Sequence, residues 1–284
     1  MDTLVQGLLL GGLYALFALG LSLMFGVMRL TNTAQGDLIV LAAFGAIALV
    51  SVAAVHASVA AVLLLPLAFV AGYALQRVVL NGTLGKDPLP SLVVTFGLSI
   101  VIQNALLEIF SADPRSLESG GLATQSVAIG PMTLGVLPLV IFAVAVAATA
   151  ALQALFDKTA LGRSFRAVSD DREIAELMGL DAKKVYALAT GIAFVVIAIA
   201  GVFQALRTTV SPSDGPLLLL FAFEAVIIGG MGSFWGTLIG ALALGLVQQI
   251  GFRVDPGWGI WFGHLMFLAV LVVRPQGLFP KTRG

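Results

Sequence analysis

The chain contains no cysteine, and this absence excludes disulfide bonds, thiol nucleophiles and metal sites built on thiolate ligands. Charged residues are also scarce: they make up 11% of the 284 residues, whereas an ordinary soluble domain is about a quarter charged. Only two histidines are present, His56 and His264, and the sequence predicts that each is an isolated interfacial or packed residue. We therefore predict no catalytic residue and no metal site.

Hydrophobic residues, in contrast, form 59% of the chain, and the mean hydropathy is +1.05. A bilayer core of about 30 Å requires a helix of about 20 apolar residues. Seven segments meet this requirement: 3–28, 38–55, 58–80, 91–110, 132–156, 186–206 and 257–273. The sequence therefore predicts an all-α, polytopic membrane protein with a single transmembrane domain over residues 1–284.

An eighth apolar region, residues 217–250, is too long for one helix. It is interrupted by four glycines, Gly229, Gly230, Gly232 and Gly236. We interpret this region as a broken helix or a re-entrant hairpin, which gives about eight transmembrane segments in total.

The basic residues indicate the orientation, because cytoplasmic loops carry an excess of lysine and arginine. With the N-terminus outside and the C-terminus in the cytoplasm, twelve basic residues are cytoplasmic and three are outside. The inner set is Arg29, Arg77, Lys86, Lys158, Arg163, Arg166, Arg172, Lys183, Lys184, Arg274, Lys281 and Arg283. The outer set is Arg115, Arg207 and Arg253. This asymmetry favours that orientation.

Residues 157–185 form the only long polar stretch of the chain, and the predicted orientation makes them a cytoplasmic loop. Asp170 and Glu173 have the spacing of a capping box, and Gly179 is suited to end a helix. We therefore predict a two-turn helix over residues 171–178. A helix this short needs a surface to lie against.

One face of this predicted helix is apolar and carries Ile174, Leu177 and Met178, while the opposite face is charged. A groove in another protein would cover the apolar face. The alternative is that the helix lies on its own bundle or on the lipid headgroups.

The segment EIAELMG at 173–179 resembles the EAA-x-x-x-G loop of bacterial ABC importer permeases, with Ile174 at the second motif position. Four further segments look like parts of the branched-chain amino acid permeases of the LivH-like subfamily: LTNTAQGD at 30–37, TFGLS at 95–99, GGMGS at 229–233 and RPQG at 274–277. The resemblance covers essentially the whole chain in order and spacing.

The resemblance implies a permease subunit of an ATP-driven importer in the bacterial inner membrane. It implies transport of branched-chain or related amino acids that an extracytoplasmic binding protein delivers. The expected partners are that protein, a second homologous permease and two cytoplasmic ATPase subunits. The residues it assigns to ATPase coupling are Asp170, Arg172, Glu173, Ala175, Leu177, Met178 and Gly179.

The chain itself is predicted to bind no cofactor, because ATP belongs to the partner ATPase. The segment GTLGK at 82–86 has only two residues between its glycines, where a phosphate-binding loop requires four. Asp87 also stands where such a loop has Ser or Thr. The sequence therefore predicts a transport subunit rather than an enzyme.

Two segments, 31–37 and 229–236, interrupt the apolar runs. Irregular backbone at membrane depth is tolerated only where it is buried in protein or lines a wet cavity. We therefore predict that both segments line the translocation path, as paired breaks in two distantly repeated halves. The candidates for this path are Asn32, Thr33, Gln35, Asp37, Gln103, Asn104, Glu224, Gly229, Gly230 and Ser233.

Some of these residues have a second interpretation. Hydrogen bonding between helices is the favoured role for Gln103 and Asn104. Glu224, a carboxylate near the middle of the membrane, is predicted either to recognise an ammonium group or to pair with Arg207. Close helix packing is favoured for three further glycines, Gly236, Gly240 and Gly245.

Two other classes of protein were weighed against the importer. An ion-coupled secondary transporter would use Asp37 or Glu224 as its coupling group, but it would leave the loop at 173–179 without a role. An intramembrane serine enzyme would need Ser233 as a nucleophile, and no base accompanies it in the sequence. The carried solute stays open among branched-chain and other amino acids, urea and short amides.

The orientation can be tested with single cysteines, because the chain has none of its own. We expect a cysteine at Ser119 to react with an impermeant thiol reagent in intact cells. A cysteine at Ser169 should react only after the cells are made permeable. The reverse pattern would invert the predicted topology.

Overall fold

The computed structural model describes residues 2–53, 56–84, 89–118, 121, 124–129 and 132–279. In this part of the chain it consists of eleven α-helices and one antiparallel two-stranded hairpin. The helices are α1 (Asp2–Met28), α2 (Gln35–Ala53), α3 (Ala57–Val78), α4 (Leu89–Phe110), α5 (Val136–Lys158), α6 (Ala160–Asp170), α7 (Arg172–Leu177), α8 (Ala182–Arg207), α9 (Gly215–Gly229), α10 (Phe234–Val254) and α11 (Gly259–Val273). The strands are β1 (Ser126–Ile129) and β2 (Met132–Gly135).

Seven of these helices are long and apolar enough to cross a membrane: α1, α2, α3, α4, α5, α8 and α10. The predicted all-α, polytopic fold is therefore confirmed. The bounds at the C-terminal end differ from the prediction. The region 217–250 divides into a short α9 and a long α10, and α11 has only 15 residues, about 22 Å.

The centre of the bundle is α1, most of which is buried, and α8 is nearly as enclosed. In contrast, α3 and α4 are mostly exposed and turn apolar side chains outward. Lipid tails are as apolar as leucine, so burial of leucine between helices gains little, and close packing has to hold them together. The enclosed helices are accordingly rich in glycine and alanine.

Glycines provide this packing where α10 crosses α9 and α1. A Cβ at Gly240 would lie 2.4 Å from the carbonyl oxygen of Ala225, and one at Gly245 would lie 2.4 Å from the backbone nitrogen of Gly11. A Cβ at Gly236 would likewise lie 2.4 Å from the carbonyl oxygen of Gly229. These distances leave no space for a methyl group, and they confirm the packing role predicted for the three α10 glycines.

Residues 29–34, the first break, return into the bundle instead of leaving it. The chain reverses at Arg29, which has a φ of 52°. The Gln35 side chain then donates from Nε2 to the carbonyl oxygen of Phe17 at 3.0 Å. Because Phe17 lies about 16 Å along α1 from Met28, α2 begins inside the bundle. The first break is therefore inside the bundle, beside the middle of α1.

The second break, residues 230–233, has a different position. A Cβ at Gly26 would lie 3.2 Å from the Cα of Gly232, and Gly26 is within the last turn of α1. The second break thus lies at the end of the bundle, beside the last turn of α1, and Gly230 and Ser233 within it are buried. The residue that meets the start of α2 inside the bundle is instead Gly215, the first residue of α9.

The loops divide into two groups at opposite ends of the bundle. At one end, Ser169 donates to the carbonyl oxygen of Gly26, and the backbone N–H of Leu278 donates to that of Ile228. The other end brings Leu117 to Ala205 by a backbone hydrogen bond. The described members of the predicted inner and outer basic sets lie at these two ends respectively, so the grouping agrees with the predicted topology. Which end faces the cytoplasm stays a prediction.

Of the two positions chosen for cysteine labelling, Ser169 is described in the structure and Ser119 is not. Ser119 lies outside the described residues, as do Lys86, Lys281 and Arg283. Ser169 is half-buried and holds the end of α1. Glu173, which is exposed at the start of α7, is therefore the better inner reporter.

Candidate translocation site

The first turns of α2 and α9 meet inside the bundle. A Cβ at Gly36 would lie 1.8 Å from the carbonyl oxygen of Gly215, and a Cβ at Gly215 would lie 2.0 Å from Oδ1 of Asp37. Any larger residue at either glycine would push the helices apart. This contact, the α2–α9 junction, brings two helix N-termini together at the level of the first break.

Asp37 is the charged group of the junction and is almost fully buried. Its Oδ2 accepts a hydrogen bond from the Ser99 hydroxyl at 2.5 Å, whereas Oδ1 has no hydrogen-bond partner among the described residues. The carboxylate sits in the first turn of α2 and against the first residue of α9. Both helix dipoles are positive at their N-termini, so they favour negative charge at this position.

The other predicted residues of the first break hold its backbone. Asn32 is buried, and its Oδ1 accepts from the backbone N–H of Ala34 at 3.0 Å. The Thr33 hydroxyl lies 2.8 Å from that of Thr95 on α4. Gln35 is buried, and its Oε1 has no partner. The structure therefore brings Asn32, Thr33, Gln35 and Asp37 into one polar region.

A cavity of about 310 Å³ adjoins this region. It is lined by Thr31, Thr33, Leu92, Pro216, Leu219, Leu220 and Phe223. Apart from two threonines the lining is apolar. A cavity of this size and character is suited to a small, largely apolar molecule.

The two predicted candidates on α4 lie one turn or more beyond Ser99, the α4 residue that bonds Asp37. Gln103 is half-buried, and Asn104 is exposed with its Nδ2 donating to the carbonyl oxygen of Ile100 at 2.8 Å. The bond made by Asn104 lies within its own helix. A bond to another helix, the favoured interpretation from the sequence, is not present at Asn104 in the described part of the chain.

Glu224 also lies apart from the junction, between α9 and α11. Its Oε1 is 2.5 Å from Nδ1 of His264, and its Oε2 has no partner. The predicted pair of Glu224 with Arg207 is therefore wrong, and His264 is not an isolated residue. The sequence could not show this pair because 40 residues separate its members.

A second buried polar pair lies beside this one. The Tyr14 hydroxyl donates to Oε1 of Gln248 at 2.6 Å, and the Tyr14 ring stacks on Phe221, one turn before Glu224. A Cβ at Gly263, next to His264, would lie 2.7 Å from Nε2 of Gln248. The helices α1, α9, α10 and α11 are thus joined by two polar pairs.

The remaining path candidates build the second break. A Cβ at Gly229 would lie 2.1 Å from the carbonyl oxygen of Gly236, and Gly230 has a φ of 104°. Ser233 is the N-cap of α10, and its hydroxyl accepts from the backbone N–H of Gly236 at 3.2 Å. Each of these residues has a structural task at the end of the bundle.

The predicted coupling helix is present as α7, with two differences. Its N-cap is Asp171, which accepts from the backbone N–H of Ile174 at 3.0 Å, and not Asp170. A further amphipathic helix, α6, which the sequence analysis missed, precedes it. Gly179 has a φ of 89°, as a helix stop requires.

The faces of α7 also differ from the prediction. Ala175 is 4% exposed and packs on the bundle, so it is not on a docking face. Ile174, Leu177 and Met178 are 59%, 86% and 81% exposed. Ala175 therefore faces the bundle, whereas the predicted apolar face of α7 is directed outward.

Charged groups fix α7 and the start of α8. Arg172 pairs with Glu176 at 3.0 Å, one turn along α7. Asp181 caps α8, and the backbone N–H of Lys184 that it accepts lowers the pKa of its carboxyl. The exposed Glu173 has no such role in the described contacts.

Comparison with known proteins identifies relatives along the full length. The family model for the permease component of branched-chain amino acid transport systems matches residues 3–273. The high-affinity branched-chain amino acid permease protein BraD of Pseudomonas aeruginosa is 27% identical over 99% of this chain and 96% of its own length. The corresponding protein LivH of Escherichia coli K12 is 25% identical over 99% and 96%.

One solved structure has a similar fold. PsaBC from Streptococcus pneumoniae, in complex with Fab, matches with a TM-score of 0.52 over 97% of this chain and 93% of that chain. The sequences are 11% identical, so this likeness concerns the fold alone.

A helical membrane bundle with two helices that start inside it and a supported, outward-facing loop helix defines a membrane transport subunit. The chain belongs to the family of permease components of branched-chain amino acid transport systems, since the family model covers nearly all of it. It is a multi-pass protein of the bacterial inner membrane.

The Glu224–His264 pair gives a stability prediction. Removal of one partner from a buried pair leaves an uncompensated polar group, so His264→Leu should destabilise the permease by about 3 kcal/mol. The double variant Glu224→Leu with His264→Leu should recover most of this loss, because no carboxylate then lies unpaired. Thermal unfolding in detergent, followed by size-exclusion chromatography, measures both.

The reference variant is His56→Leu, which removes the exposed histidine that caps α3. Loss of a helix cap costs about 1 kcal/mol, so this variant should destabilise the permease less than His264→Leu does. Equal stability of His264→Leu and the parent chain would contradict the pairing, as would a double variant no more stable than His264→Leu.

Proposed function

We propose that this chain is one of two membrane permeases of an ATP-driven importer for branched-chain amino acids. In this proposal the N-terminus is outside, and α6 and α7 are in the cytoplasm. An extracytoplasmic binding protein delivers the solute, and two ATPase subunits bind to the cytoplasmic ends of the permeases. The path then opens and closes at the α2–α9 junction.

The observation that carries this proposal is the outward apolar face of α7. Two of its three large apolar residues, Leu177 and Met178, are more than four-fifths exposed, although Ala175 of the same helix is buried against the bundle. An apolar face on a polar loop indicates a protein-binding surface. A short amphipathic helix in an apolar groove is a recurring mode of recognition. The partner that family membership supplies for this helix is the ATPase.

In the proposal ATP is bound and hydrolysed by that partner alone. The glycine spacing at 82–86 is too short for a phosphate-binding loop. The contribution of the permease is mechanical: a shift of α7 is passed to the helices on which it rests.

The solute is proposed from the relatives and from the cavity beside the first break. BraD and LivH are described as branched-chain amino acid permeases. The cavity, about 310 Å³ with a mainly apolar lining, suits a branched aliphatic side chain. Asp37 does not line the cavity, but its Oδ1 lies against Gly215, the residue before Pro216 of the lining. Within the described residues this oxygen accepts no hydrogen bond, and in the proposal it attracts the ammonium group of a passing amino acid.

An ion-coupled secondary transporter is the second candidate, and one observation favours it. Asp37 and Glu224 are both buried carboxylates, and each has one oxygen without a partner. Buried carboxylates of this kind serve as proton or cation sites in secondary transporters. This candidate gives no role to the exposed face of α7.

Reconstitution in liposomes separates the two functions. The chain alone should not take up leucine, isoleucine or valine, even with an ion gradient. Uptake should require the second permease, the ATPase, the binding protein and internal ATP. Gradient-driven uptake by the isolated chain would establish the secondary transporter instead.

The role of α7 predicts a separate effect. Leu177→Asp places a charge on the docking face and should reduce both ATPase copurification and uptake at least about tenfold, the range of a lost interface anchor. The matched control is Val78→Asp on α3, since Val78 is 81% exposed at the same end of the bundle. Normal copurification with Leu177→Asp, or an equal loss with Val78→Asp, would contradict docking at α7.

A further inference from the structure

One face of the helix α4 is exposed in the part of the chain that the structure describes. Its buried residues, Ser91, Thr95, Ile102 and Leu106, lie on the side that faces α2. At 100° per residue, the opposite side carries a row of exposed residues. This row, the α4 stripe, consists of Val93, Gly97, Ile100, Asn104 and Glu108.

The α4 stripe is not suited to lipid, because two of its members are polar. Asn104 donates to its own helix, which leaves its Oδ1 directed outward without a partner among the described residues. The carboxylate of Glu108, one turn further, likewise has no partner in the described part of the chain. A carboxylate or amide on a lipid-facing surface costs several kcal/mol at the bilayer centre and less towards its edge. Such groups normally face other protein.

The exposed face of α3 shows what a lipid-facing helix of this chain looks like. Between positions 59 and 74 its exposed residues are Val59, Val62, Leu63, Pro66, Leu67, Val70, Ala71 and Ala74, none of them polar. The exposed polar residues of α3, Ser58 and Arg77, lie in its end turns, as Glu108 does on α4, so Asn104 is the residue that distinguishes the two faces. Both helices are mostly exposed, so the difference lies in chemistry and not in burial.

Gly97 adds an independent observation. A Cβ built on it meets no atom of the chain within 4 Å. Most helical glycines of this chain are instead held against a neighbouring backbone. The small residue at position 97 is therefore not required by the fold of the chain itself. Small residues on transmembrane helices allow a second helix to approach closely.

We propose that the second permease subunit of the transporter packs on the α4 stripe. The contacting helix has a close approach at Gly97 and offers hydrogen-bond donors to Asn104 and Glu108. This inference rests on the proposed function, which supplies the second permease. It adds the surface that the second permease occupies, and it makes Asn104 an interface residue instead of a lipid-facing one.

Photo-cross-linking in the assembled transporter tests the surface directly. A photoreactive phenylalanine analogue at Val93 or Asn104 should yield a covalent product that contains two permease chains. The same analogue at Val70 on α3 is the control, because Val70 and Val93 are 64% and 68% exposed. Products with lipid alone from Val93 and Asn104, or an equal permease product from Val70, would overturn the proposal.

A second variant avoids any dependence on the probe. Gly97→Leu should leave the isolated chain folded, because the added side chain meets open space, yet it should lower copurification of the second permease about fivefold or more. Ala71→Leu on α3 is the matched control and should change neither property. Unchanged pairing in Gly97→Leu would overturn the proposal.

ATP-driven uptake in the same membranes distinguishes failure of the proposed interface from failure of the proposed function. If uptake requires the second permease but neither position on the α4 stripe reaches it, the function stands and the interface lies elsewhere. If uptake needs no second permease, the proposed function fails first.

Discussion

The backbone of a helix that begins inside an apolar bundle must satisfy its first N–H groups without water, and the architecture of this permease depends on that constraint. Two helices, α2 and α9, begin at the same place. Asn32 accepts from the first backbone N–H groups ahead of α2, and Asp37 adds a negative charge where both helix dipoles are positive. The two glycines that let these helices touch, Gly36 and Gly215, tolerate no side chain. The polar residues of the junction therefore have a structural role in the fold that is independent of any role in the translocation path.

Much of this fold follows from the length of the apolar runs, since six of the seven long helices coincide with runs of about 20 residues. Depth in the membrane does not follow from run length. The segment 208–214 has the serines, proline and aspartate of an ordinary surface turn, and only contact with Gly36 places the following helix inside the bundle. The glycines of the second break also interrupt an apolar run, yet they lie at the end of the bundle. Hydropathy shows where a helix ends along the sequence, whereas tertiary packing determines how deep in the bundle that end lies.

The site could be predicted only where its residues are close in sequence. The first break could be predicted because Asn32, Thr33, Gln35 and Asp37 are close in sequence. The helix α7 could be predicted from a capping-box spacing read one residue too early and from its stop residue, Gly179. Ser99, which bonds Asp37, and His264, which bonds Glu224, lie on other helices and leave no local signal. Ala175 shows the same limit: periodicity places it on α7, but only the bundle shows that it faces inward.

The supports of α7 indicate how motion at one end reaches the junction. Ala175 packs in a cluster that includes Met24 and Val27 of α1, and Ser169 on the adjoining α6 holds the carbonyl of Gly26. The chain leaves α1 only a turn later and runs directly into the first break. A displacement of α6 and α7 therefore acts on the end of α1, and the first break connects that end to the start of α2. The helices α2 and α9 touch at Gly36 and Gly215, so in the proposed mechanism a shift of one helix is passed to the other.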